Sequence, residues 1–113
     1  MADYMIQISY SAAAWAALIA KPENRLEAVK KVVEKLGGKV GSFWFSFGDH
    51  DLVGILEMPD AVSAAAFSVA VAGGGACKAV KTTPLLKLEE GMEAMKKAAT
   101  CGYQPVGAKK AKN

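Results

Sequence analysis

Residues 39–58 constrain the fold more than any other part of the chain. Residues 39–47 carry Phe43, Phe45 and Phe47 on one face, with Trp44 and Ser46 on the other. Residues 51–58 set Leu52, Gly54, Leu56 and Met58 opposite Val53, Ile55 and Glu57. A period of two with aromatic and branched side chains is the mark of a strand. Only Gly48-Asp49-His50 separates the two runs, so they must return on each other as an antiparallel hairpin.

A strand and helical segments precede this hairpin, and a helix, a strand and a last helix follow it. On the N-terminal side, residues 3–10 alternate, with Tyr4, Ile6, Ile8 and Tyr10 facing one way and Met5, Gln7 and Ser9 the other. Ser11 is placed to cap a short helix over Ala12–Ala20. Pro22 suits a first helical turn, so a second helical segment is expected from Pro22 to Leu36. Its inner positions are Leu26, Val29, Val33 and Leu36, and Gly37-Gly38 ends it. On the C-terminal side, Pro59-Asp60 stops the strand and caps an alanine-rich helix over Ala61–Ala72. Gly73-Gly74-Gly75 ends that helix. Residues 76–83 read as a fourth strand, Pro84–Leu88 as an extended link, and Glu89–Ala99 as a last helix with Met92, Met95 and Ala99 on one side.

The order βαββαβ defines an α+β, ferredoxin-like fold: a four-stranded antiparallel sheet with its main helices on one face, plus a C-terminal helix. A length of 113 residues suits one core. The expected organisation is a domain over 1–88, the C-terminal helix over 89–100 and a flexible basic tail over 101–113.

Charge narrows the choice of partner. Lys and Arg number 14 against 11 Asp and Glu, but Lys109, Lys110 and Lys112 account for the whole excess. The body is neutral, without the basic stripe of a nucleic-acid domain. The aromatic spacing Phe43, Phe45, Phe47 imitates an RNA-stacking sheet, but the basic, glycine-containing motif of such sheets is missing. Cys77 and Cys101 have no metal-ligand spacing, and one histidine cannot build a three-histidine site within a subunit. Gly73-Gly74-Gly75 follows a helix, whereas a phosphate loop precedes one. The start Met-Ala-Asp-Tyr is not that of a secretory signal, and Ala61–Ala76 is too short and too polar to span a bilayer. The expectation is a cytoplasmic protein with no metal or other cofactor, no nucleic-acid partner and no membrane partner.

Helices on one side leave the other sheet face bare, and large side chains on both faces of the hairpin make that face apolar. Burying about 600 Å² of it per subunit would contribute on the order of 15 kcal/mol before association costs. A homodimer packing sheet against sheet is expected, alone or in a ring of dimers. The methionine side of the last helix is expected to lie on a neighbouring subunit.

These features together resemble the GYD-domain family of small bacterial proteins, related in fold to dimeric α+β barrels. The resemblance rests on Ile8-Ser9-Tyr10, on the run from Arg25 to Lys31, on Leu36-Gly37-Gly38-Lys39-Val40, on Phe47-Gly48-Asp49-His50-Asp51 and on Glu57-Met58-Pro59-Asp60. It covers roughly residues 3–88. Gly48, Asp49 and Asp51 match the family's signature turn, and His50 stands where tyrosine is usual. The resemblance implies the fold and the dimer. By analogy of fold it also implies an apolar cleft between sheet and helices, in which some related proteins oxidise aromatic substrates without a metal or flavin.

Two sets of residues carry candidate chemistry. His50 is either a turn residue or a group for proton transfer or anion binding, with Asp51 or Asp49 to orient it. Tyr10 joins His50 and Asp51 as a candidate catalytic group. Tyr4, Tyr10, Trp15 and Trp44 either line a ligand pocket or fill the core and the dimer interface. The expected function is binding of a small apolar or aromatic molecule in the cleft, with proton transfer or cofactor-free oxidation as the accompanying chemistry. The alternative is a non-catalytic homo-oligomeric assembly or regulatory subunit.

Overall fold

A computed structural model describes residues 1–107. The lysines at 109, 110 and 112, on which the basic-tail expectation rests, lie outside the described residues, and 101–107 form neither helix nor strand. The elements are β1 (Ala2–Tyr10), α1 (Ala12–Ala20), α2 (Leu26–Lys35), β2 (Lys39–Phe45), β3 (Leu52–Met58), α3 (Ala61–Gly73), β4 (Cys77–Leu85) and α4 (Leu88–Ala99). The sheet order is β2-β3-β1-β4, antiparallel throughout, which is the ferredoxin-like arrangement.

Alternation sorts the sheet into two faces. Tyr4, Ile6, Ile8 and Tyr10 of β1 and Leu52, Leu56 and Met58 of β3 are buried against Val33 of α2 and Ala64 and Phe67 of α3. Local chemistry sets the helix ends. Ser11 accepts the Ala14 N–H at 3.1 Å and caps α1. Asp60 accepts the Ser63 N–H at 2.7 Å and caps α3. At the end of α2, Gly37 takes φ +84°, and the N–H groups of Gly37 and Gly38 donate to Glu34 and Val33 in a paired C-terminal lock.

Three boundaries differ from the sequence reading. The helix expected from Pro22 begins at Leu26, because the Asn24 side chain accepts the Leu26 N–H at 2.9 Å and turns the chain there. Residues 22–25 thus form a linker. β2 ends at Phe45, because after one more in-register bond, from the Ser46 N–H to the Asp51 carbonyl at 2.9 Å, Phe47 turns to φ +50°. The Phe47 ring therefore leaves the strand's alternation and stacks on Phe45 at 5.5 Å and 7°. β4 runs through Pro84, which pairs with Tyr4, to Leu85; an edge strand tolerates proline where an inner one does not.

The open face is mixed rather than uniformly apolar. By register, Trp44, Val53, Ile55 and Met5 form an apolar centre. Asp3, Gln7, Glu57, Lys81 and Thr83 surround it. α4 leaves the body altogether: all its residues but Gly91 are exposed, and the described chain measures 68 × 30 × 22 Å.

Candidate functional site

The linker Pro22–Arg25 does what a continuous helix could not: it leaves open space between α1, α2 and the hairpin. Three adjoining depressions surround it. One of about 550 Å³ lies over Phe43, Phe45 and Leu52 and is bordered by Trp44 at the β2 edge. One of about 200 Å³ lies between Trp15, Leu18 and the Phe45–Phe47 pair. One of about 420 Å³ is floored by Ala14, Leu18 and Ala76, with Tyr10, Lys21 and Arg25 at its polar side. Glu23 lines all three.

Trp15 joins the walls. Its ring meets Tyr10 edge-on at 5.4 Å and lies 6.5 Å from Phe45 and 6.2 Å from Phe47. Edge-to-face and offset contacts of this kind use the ring quadrupole favourably. Asp51 fixes the cluster from behind. One oxygen, Oδ2, accepts the Tyr10 N–H at 2.7 Å and the Trp15 Nε1–H at 3.2 Å, tying β1, α1 and the hairpin turn to a single carboxylate.

The electrostatics centre on Arg25. Its guanidinium pairs with Glu23 at 2.6 Å, and this contact is the chief reason its affinity for a proton is raised. Burial pushes the Tyr10 phenol up from its ordinary value, and the nearby Arg25 charge opposes the rise without cancelling it. Burial also pushes the Cys77 thiol up, again against Arg25. Both groups are therefore protonated at neutral pH. Tyr10 can donate a hydrogen bond but is not a base there.

The structure brings Tyr10, Trp15 and Asp51 together, sets Trp44 at the border of the first depression, and places His50 and Tyr4 elsewhere. His50 Nδ1 lies 3.4 Å from Ser9 Oγ, which donates to the Asp49 carbonyl at 3.2 Å. Ser9 belongs to the open face, across β1 from Tyr10, and neither His50 nor Asp51 lines the depressions. Tyr4 is buried in the core and lines none of them. Arg25 is not legible as a site residue because the helix expected from Pro22 runs through it, and Lys21 because it falls between the two expected helices with no motif around it. The signal was Pro22-Glu23-Asn24, a turn-forming triplet read instead as a helix start.

The fold and cleft define a small ferredoxin-like α+β domain with an aromatic trough beside one arginine-bearing linker. The chain belongs to the GYD-domain family, whose model matches residues 4–95 and so reaches into α4. Comparisons with curated proteins and with solved structures give no match. Among the described residues no group of three metal-ligating side chains gathers, and no helix is long and apolar enough to cross a membrane.

Proposed function

We propose that this protein binds a small apolar or aromatic molecule bearing an anionic or hydrogen-bond-accepting end. The observation that carries this reading is the juxtaposition of the Trp15–Phe45–Phe47 wall with Arg25, Lys21 and the Tyr10 phenol around one linker. An apolar body would displace water from the aromatic wall. Its acid group would meet two cations and a protonated phenol, and would compete with Glu23 for Arg25. Proton transfer would then act on that molecule, with the protonated Tyr10 phenol serving as a donor rather than as a base.

The test is fluorescence titration of a Trp44→Phe variant, which leaves Trp15 as the sole indole. 4-Methylbenzoate is expected to shift the emission, and its neutral amide to bind more weakly. Arg25→Gln is expected to weaken the acid about tenfold, a loss of about 1.4 kcal/mol. Absence of any change with either probe at millimolar concentration would reject the reading.

A second reading, an assembly subunit without chemistry of its own, draws on a different observation. The apolar centre of the open face is rimmed by polar side chains, which is the anatomy of a protein interface. A homodimer joined sheet to sheet would bury Trp44, Val53, Ile55 and Met5. The two readings are compatible, because the cleft lies on the helix side of the sheet.

A further inference from the structure

Two helices in this chain carry apolar faces that nothing in the monomer covers. α4 has Leu88, Met92, Met95 and Ala99 at the 4-3-4 spacing of a packing seam, and the first three are 86%, 58% and 71% exposed. Its 12 residues are at the lower limit of what holds as a lone helix in water, so a partner surface must support it. α3 has 13 residues and no charged side chain. Val62, Ala65, Val69 and Ala72 form its outer stripe at 3-4-3 spacing, with Val62 79% and Val69 70% exposed. A helix without charge is ordinarily covered all round.

The two faces complement each other. Large, adaptable leucine and methionine knobs on α4 match small residues on α3. Beside the C-terminal half of α3 a groove of about 330 Å³ runs along Cys77–Val80, lined by Val69 and Ala72 and carrying Lys78 as its one charged residue. α4 holds Glu89, Glu90 and Glu93 in its N-terminal half. Laid antiparallel on α3, α4 would set those acids beside Lys78 and oppose the two helix dipoles favourably.

The chain's own α4 cannot do this. It starts beyond Leu85, and Lys78 lies seven residues back along β4, roughly 23 Å at the rise of a strand. We propose that α4 of one copy docks antiparallel into the α3–β4 groove of a second copy. This contact is separate from the sheet-to-sheet pairing and does not require it.

Sedimentation equilibrium on the full chain tests the proposal with two double variants at exposed positions, folding being checked by circular dichroism. Met92→Lys with Met95→Lys breaks the α4 face. Val62→Lys with Val69→Lys breaks the α3 face. Each alone is expected to raise the dissociation constant of self-association at least tenfold. An equimolar mixture is expected to associate more tightly than either variant by itself, because one copy still offers an intact α4 and the other an intact α3. Self-association unchanged in either variant would overturn the proposal. So would a mixture no tighter than its components, which is the result expected if α4 pairs with another α4.

Discussion

Asp51 is one carboxylate holding donors from two different elements, and its removal would release both. Asp51→Ala is expected to lower stability by about 2–3 kcal/mol, because hydrogen bonds to a charged acceptor are the stronger kind and two donors lose their partner. His50→Ala loses only a long contact to Ser9, and a change within about 0.5 kcal/mol is expected. Urea unfolding of the two variants separates a structural Asp51 from its neighbour in the same turn. Titration gives a further prediction at this scale. Burial raises both the Cys77 thiol and the Tyr10 phenol, so the native state holds these protons more tightly than the unfolded chain does. Their contribution is fully present below the ordinary values of 9.0 and 10.0 and is lost as pH climbs through the raised ones. Thermal unfolding should therefore show stability falling above about pH 9, and the Tyr10→Phe, Cys77→Ala pair should flatten that fall. The sequence made Tyr10 and Trp15 visible as candidates through alternation and aromatic content. It did not make Arg25 visible, because its place beside the cleft depends on an Asn24 side-chain bond that periodicity does not report.

At the scale of elements, close approach decides what each strand tolerates. Gly54 lies under the Phe43 ring, and a Cβ there would come within 2.6 Å of that ring and 2.9 Å of the Ser42 carbonyl. Gly54→Ala is expected to cost about 1–3 kcal/mol in chemical denaturation, since β2 must lift away from β3 to admit it. The strands and helices themselves were largely legible in the sequence. Ser11 and Asp60 are caps by residue type, and the inward face of β3 follows from alternation alone. The boundaries that slipped did so for tertiary or side-chain reasons. Phe47 keeps the spacing of a strand residue but adopts a left-handed turn, and its ring gains a stacking partner in return. Pro84 has the chemistry of a strand breaker, but pairing on one side only lets β4 pass through it.

The whole molecule is far from spherical, with one helix standing clear of the body and an apolar centre on the bare sheet face. Native mass spectrometry is expected to show multiples of 11.8 kDa with the dimer as the smallest abundant species. Val53→Lys with Ile55→Lys, placed in the sheet centre, is expected to weaken this association while leaving the α4 contact in place; a wild-type chain that is monomeric throughout would refute the pairing. Both rims of the sheet are irregular, and this limits how copies can add to one another. The β2 rim carries a bulge between Val40 and Ser42, and the β4 rim passes through Pro84 and carries exposed Lys78 and Lys81. A β2-to-β4 junction is the kind that repeats without end, because each added copy presents a fresh β4 rim. With a bulge on one rim and a proline on the other, neither offers a long regular ladder for a further strand. The bulge and the proline at the two margins thus both work against fibrous polymerisation of a protein rich in bare apolar surface.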